Sequence, residues 1–177
     1  IGSVTSPLPI VASITSINDV NCFGGADGSV QVAVLGGTGT YTIDWLTLTG
    51  DAFFMDNLAA GNYVAEITDA NNCEGSVVAT ISEPVPFTAD LIVIDDETCT
   101  AGNGVALAST TGGIGILNYT WTPNVSSTNV ANNLSAGPIQ VIVQDENGCI
   151  ANDAETLQNF ATGDATIASI NPVTCED

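Results

Sequence analysis

Five cysteines are the residues of this chain whose type and spacing favour covalent chemistry. Cys22 and Cys73 lie about 50 residues apart, and Cys99 and Cys149 repeat that separation. Closing a loop of about 50 residues would stabilise a small domain by about 4 kcal/mol in the chain-entropy model. The spacing therefore predicts two disulfides, Cys22–Cys73 and Cys99–Cys149, in an oxidising, extracytoplasmic compartment. For Cys175 we expect a partner beyond the sequence or, alternatively, an intermolecular disulfide.

The charge of the chain excludes several classes of partner. The sequence has 20 Asp and Glu and no Lys, Arg or His, which gives a formal net charge of −20. Nucleic acid binding is excluded because nothing can neutralise a phosphate backbone, and an anionic bilayer would repel the chain. Since 45% of the residues are hydrophobic and occur in short β-branched runs, the chain can still bury a core. No apolar run approaches the length that spans a membrane, so we expect no membrane insertion.

An internal repeat organises the elements that position these residues. A shift of 76 residues places Cys73 on Cys149 and Trp45 on Trp121. Pairs of prolines separated by one residue mark the junctions. The expected segments are residues 1–6, the last strand of a preceding repeat; 7–83 and 84–160, two complete repeats; and 161–177, the start of a following one. We expect the native protein to continue in both directions.

Within each repeat, apolar residues alternate with period two. Clear examples are residues 29–34, 41–45, 63–67 and 77–81. Glycine-containing turns separate these runs, and no helical periodicity of useful length is present. Short strands with turns every 8–12 residues or so predict an all-β fold, tandem immunoglobulin-like β-sandwich repeats in an extended array. The pattern does not give the strand order.

A family resemblance follows from these motifs. Residues 22–29, with the sequence CFGGADGS, together with Gly36-Gly37 and residues 41–45, resemble the SprB-type repeat of Bacteroidota. Residues 57–63 and 69–73 continue the resemblance, whereas the second repeat has Asn103-Gly104 in place of Asp27-Gly28. The resemblance implies a very large cell-surface protein, such as the gliding-motility adhesin that names the family. It also implies export through the outer membrane by the type IX secretion system.

Carboxylates and tryptophans are the remaining candidates for chemistry. Without His, Lys or Arg, the chain lacks the common general base and the oxyanion-binding cation. Paired carboxylates alone could hydrolyse glycosides, yet the second repeat has no acid at the positions that match the first repeat's candidates, Asp44, Asp51 and Asp56. We therefore expect no catalytic or cofactor-binding residue and no enzyme. Trp45 and Trp121 could stack on sugars, but their period-two strands favour a place in the core.

Calcium is the one cofactor that the sequence leaves open. Carboxylate oxygens in loops suit Ca²⁺, and acidic residues occur near the repeat junctions at Asp19 and at Asp95, Asp96 and Glu97. No Asp-x-Asp-x-Asp-Gly loop is present, so we expect no metal site, with these four residues as weak calcium candidates.

The sequence predicts a repeat segment of a secreted adhesin filament, for surface attachment or gliding motility. A passive stalk that carries another domain is the alternative, and a glycan-binding module is a weaker third. The expected partners are neighbouring repeats of the same chain, and surface polysaccharide or other surface proteins.

Overall fold

Two compact units make up the part of the chain that the computed structural model describes, residues 7–98 and 101–160. The first unit extends to Phe87 and also contains Thr111–Gly115 and Asp145–Cys149. The second contains Thr88–Thr110, Ile116–Gln144 and the described residues from Ile150 onward. These residues form strands, turns and bends, and no helix occurs among them.

Six strands form two antiparallel sheets in the first unit. The strands are β1 (Val11–Asn18), β2 (Gly28–Leu35), β3 (Thr42–Trp45), β4 (Phe54–Leu58), β5 (Gly61–Thr68) and β6 (Glu74–Ile81). One sheet has the order β1-β2-β4 and the other the order β3-β5-β6. These orders match the A-B-E and C-F-G sheets of an immunoglobulin-like sandwich without its D strand.

The core of the first unit lies between the inner faces of these two sheets. Val30 and Val32 of β2 are buried, as are Ile43 and Trp45 of β3 and Ala65 of β5. The intervening residues of each strand point outward, because successive side chains of a strand alternate between its faces. The period-two alternation of apolar residues in the sequence thus matches the alternation of buried and exposed side chains along these strands.

A hydrogen bond at the corner between β4 and β5 adds a second immunoglobulin-like feature. The hydroxyl of Tyr63, near the start of β5, donates to the carbonyl oxygen of Ala59 at 2.8 Å. This is the tyrosine-corner arrangement, in which a tyrosine near the start of the F strand bonds back to the backbone a few residues upstream. In the second repeat, Ile139 takes the place of this tyrosine and is buried.

The second unit repeats the same strand order. Its strands are β7 (Thr88–Asp95), β8 (Glu97–Thr98), β9 (Gly104–Thr111), β10 (Asn118–Thr122), β11 (Val130–Leu134), β12 (Gly137–Gln144), β13 (Ile150–Leu157) and β14 (Asn159–Phe160). The sheets have the orders β11-β9-β7 and β10-β12-β13, and β8 pairs with β14 in parallel. The predicted all-β, immunoglobulin-like sandwich is therefore confirmed in both units.

Candidate functional site

The loop between β1 and β2, residues 19–27, holds Cys22 in a defined backbone conformation; we call it the cysteine loop. One oxygen of Asp27 accepts the backbone N–H of Asn21 at 3.1 Å, and its other oxygen accepts the side-chain amide of the same residue. The N–H of Gly25 donates to the carbonyl of Cys22 at 2.9 Å. The backbone N–H of Asn21 is the largest of the influences that lower the pKa of Asp27. The carboxylate of Asp27 thus stabilises the loop while it is ionised.

The cysteine loop is also attached to the segment that follows β6. Val20 donates its N–H to the carbonyl of Ser82 at 3.0 Å, and the N–H of Ser82 donates to Asp19 at 2.8 Å. Gly24 donates to the carboxylate of Glu83 at 2.6 Å. Cys22 is therefore located at the end of the first unit where β6 finishes.

The hairpin between β5 and β6, which we call the first hairpin (residues 69–73), carries the second cysteine. One oxygen of the buried Asp69 accepts the N–H groups of Asn71 at 2.8 Å and Cys73 at 2.9 Å. Its other oxygen accepts the N–H of Thr38 at 2.8 Å. These three donors lower the pKa of Asp69, that of Cys73 most strongly. Cys73 itself is exposed and has a free thiol.

The second hairpin, residues 145–149, reproduces this arrangement between β12 and β13. Asp145 is buried and accepts the N–H of Cys149 at 2.9 Å with one oxygen and that of Ile114 at 3.0 Å with the other. Cys149 is 8% exposed. Two aspartates thus set two cysteines in the same backbone environment.

A disulfide joins Cys22 of the cysteine loop to Cys149 of the second hairpin. Their Cα atoms are 5.6 Å apart, and the bond spans a sequence separation of 127 residues. Both cysteines belong to the first unit. In sequence, however, they belong to the successive segments 7–83 and 84–160. The covalent link therefore joins the two segments that the sequence predicts to be successive repeats.

This bond corrects both predicted disulfides, Cys22–Cys73 and Cys99–Cys149. Cys73 directly precedes β6, whereas the cysteine loop is bonded to residues that follow it. The eight residues of β6, at about 3.3 Å each, span about 25 Å, so the two cysteines lie near opposite ends of the sandwich. A disulfide needs Cα atoms within about 7 Å. Cys99 and Cys175 lie outside the described residues.

Three of the four calcium candidates accept backbone hydrogen bonds, and the fourth is exposed at the end of a strand. Asp19 accepts the N–H of Ser82, and Asp96 accepts that of Gln158 at 2.7 Å. Glu97 is buried and accepts two N–H groups, those of Gly102 at 2.8 Å and Ala136 at 2.9 Å. Asp95 is exposed at the end of β7. Within residues 7–98 and 101–160, no group of three or more acidic or cysteine side chains is arranged to hold a metal ion.

The sugar-stacking and catalytic candidates are also placed. Trp45 and Trp121 are each 1% exposed, and their indole N–H groups donate to the carbonyls of Ala52 at 3.0 Å and Thr128 at 2.8 Å. The prediction that both tryptophans belong to the core is confirmed, and neither can stack on a sugar. The three carboxylates considered for glycoside hydrolysis are exposed; they are Asp44, Asp51 and Asp56.

Sequence reasoning missed the residues that fix the cysteine loop. Asp27 lies five residues after Cys22, and the only signal for it was its place before Gly28 in the repeat motif. Glu83 bonds Gly24 across 59 positions of sequence, a contact that no local pattern indicates.

Similar solved structures include two chains with immunoglobulin domains and a fragment of intimin. The N-terminal eight Ig domains of Down syndrome cell adhesion molecule match with 14% identity and a TM-score of 0.42, over 88% of this chain and 25% of that one. A C-terminal fragment of intimin, solved with the intimin-binding domain of its translocated receptor, matches with 13% identity and a TM-score of 0.40. This match covers 86% of this chain and 64% of that one. The ectodomain of mouse nectin-like molecule 4 matches with 9% identity and a TM-score of 0.40, over 89% of this chain and 66% of that one. The chain thus spans less than two thirds of the length of each of these three chains.

Sequence comparison finds one family model that matches part of the chain. No curated protein matches the chain. No helix among the described residues is long and apolar enough to cross a membrane. The SprB repeat model matches residues 14–50, which include most of β1, the cysteine loop, β2 and β3. The predicted resemblance to the SprB repeat is therefore confirmed for residues 14–50.

Proposed function

We propose that this chain is a segment of a large secreted adhesin filament that serves surface attachment or gliding motility. The observation that carries the proposal is the Cys22–Cys149 disulfide, because it links successive repeats of the sequence covalently. Such a link suits a protein under load, because it adds a second covalent connection between repeats that the peptide backbone already joins. The repeats are residues 7–83 and 84–160, and the protein is exported across the outer membrane to the cell surface.

Two further properties support extension of the filament. The net charge is −20 and no side chain is cationic, so neighbouring repeats repel one another and resist folding back. The Pro-x-Pro junctions fix φ at several positions and reduce the freedom of the connection.

Small-angle scattering on chains of two, four and six repeats tests the filament. The maximum dimension should grow in proportion to repeat number, by about 25–35 Å for each repeat on the basis of strand length at about 3.3 Å per residue. Growth as a globule or as a freely jointed chain would contradict the proposal.

Adhesion itself separates this function from the passive stalk. Beads that carry the full chain should resist shear on a polysaccharide-coated surface or on a lawn of cells better than beads that carry an unrelated protein of the same net charge. A stalk would give equal resistance for both. Because both tryptophans are buried, the structure favours contact through other exposed side chains over sugar stacking.

A further inference from the structure

The free thiol of Cys73 is placed like a cysteine that already forms a disulfide. In the first hairpin, Asp69 donates its N–H to the carbonyl of Cys73 at 3.0 Å and accepts the N–H of Cys73 at 2.9 Å. In the second hairpin, the corresponding distances between Asp145 and Cys149 are 3.0 Å and 2.9 Å. The backbone around the two sulfur atoms is therefore the same.

The agreement extends to the rest of each hairpin. The position before the cysteine has positive φ in both, 61° at Asn72 and 85° at Gly148. The neighbouring loop is attached in the same way, since Ala70 donates to the carbonyl of Thr38 at 3.2 Å and Glu146 to that of Ile114 at 3.1 Å. The first hairpin thus has the shape that, in the second, receives the cysteine loop.

We propose that Cys73 forms a disulfide with the cysteine of a Cys22-type loop contributed by a SprB-type repeat on its N-terminal side. Each repeat would then use its two cysteines in different bonds: the loop cysteine bonds the hairpin of the following repeat, and the hairpin cysteine bonds the loop of the preceding repeat. Pairing within one repeat is excluded for the first unit because its two cysteines lie at opposite ends of the sandwich. This inference rests on the proposed repeat array, although not on what the array adheres to.

The reaction is an oxidation of two thiols that requires a disulfide oxidant, such as oxidised glutathione or a disulfide oxidoreductase. One thiolate attacks the oxidant's S–S bond and forms a mixed disulfide while one sulfur of the oxidant leaves as a thiol. The second thiolate displaces the other sulfur. Two protons and two electrons pass in total from the pair of cysteines, and the oxidant ends as two thiols or one dithiol.

The test is a chain in which residues 7–83 are duplicated in register, so that residues 1–83 are followed by the chain from Pro7 to its end. After refolding with oxidised and reduced glutathione, peptide mapping without reduction should find two bonds. The added Cys22 should bond the original Cys73, and the original Cys22 should bond Cys149. The added Cys73 should remain available to a maleimide.

A matched variant carries Cys73→Ser in the original copy alone. We expect the added Cys22 to become reactive to maleimide while the original Cys22–Cys149 bond persists. Recovery of a bond between the added Cys22 and the added Cys73 would overturn the proposal. So would an original Cys73 that stays fully reactive or carries only glutathione.

The unmodified chain gives a second readout if the longer chain fails to fold. Native maleimide labelling should modify Cys73 and spare Cys22 and Cys149. Recovery of a Cys22–Cys73 peptide from the unmodified chain would refute the proposed bond, whereas a failure of bead adhesion would refute only the adhesive function.

Discussion

Several carboxylates in this chain take backbone N–H groups as their partners, since the sequence offers no side-chain cation. Asp69 accepts three N–H groups, Glu97 accepts two, and Asp153 accepts that of Leu91 at 2.8 Å. A carboxylate that receives N–H donors is stabilised in its ionised form. The acidic residues thus serve the fold locally at the same time as they give the chain its charge.

The first prediction concerns acid. The pKa values of Asp27 and Asp69 are lowered in the folded state, so the stability they contribute is complete above their unfolded values near pH 4 and is lost as pH falls through the folded values. Urea titrations should show that Asp69→Asn, which leaves one acceptor oxygen for three donors, lowers the free energy of unfolding at pH 7. The difference from the wild type should shrink below about pH 4. A difference that stays constant from pH 7 to pH 2 would contradict the assignment.

The second prediction concerns calcium. Asp19, Asp96 and Glu97 already accept backbone N–H groups, so we expect added cations to act by screening the negative charge alone. Thermal unfolding in CaCl₂ and in MgCl₂ of the same concentration should therefore give equal increases in Tm over a sample with EDTA. A larger increase with calcium than with magnesium would indicate a specific site.

At the scale of the elements, the turn after β2 requires glycine at position 36. Gly36 has φ of 76°, and a Cβ added there would lie 2.0 Å from the carbonyl oxygen of Pro9. We expect Gly36→Ala to lower the free energy of unfolding by about 2 kcal/mol or more, since the left-handed conformation alone costs about 1–2 kcal/mol. The control is Gly61→Ala, whose Cβ meets nothing closer than 3.8 Å; it should change stability by less than about 1 kcal/mol. Equal losses in urea unfolding would contradict this account.

The strands were predictable from sequence because burial follows the alternation of side chains. Trp45, Ala65 and Ile67 lie in the core as their period-two positions indicate. Strand order was not predictable, since β2 pairs with β4 rather than with β3, a choice that depends on how two sheets pack. The predicted pairing of the cysteines was wrong for the same reason. The spacing of Cys22 and Cys73 gives the length of a loop, whereas the bond depends on which end of the sandwich each cysteine occupies.

At the scale of the whole molecule, two units of the same strand order carry all their charge in one sign. The first unit keeps the tyrosine corner at Tyr63, and the second replaces it with the buried Ile139. The two units thus share the sandwich while individual contacts differ. The hairpin aspartates, Asp69 and Asp145, are retained in both, in keeping with their part in holding a cysteine.

The bond between Cys22 and Cys149 also determines how far the protein can stretch. When the two ends of the chain are pulled, the 127-residue span lies inside a closed covalent ring, so only the segments before Cys22 and after Cys149 can lengthen. At about 3.3–3.6 Å per extended residue, the ring withholds about 400–450 Å of contour length. In force spectroscopy, the oxidised chain should lack this extension and the chain in dithiothreitol should show it; equal extension in both would contradict the prediction. Tension would then pass through the sulfur–sulfur bond between Cys22 and Cys149, and hydrogen bonds would resist it only at the strands outside the ring, β1 at one end and β13 and β14 at the other.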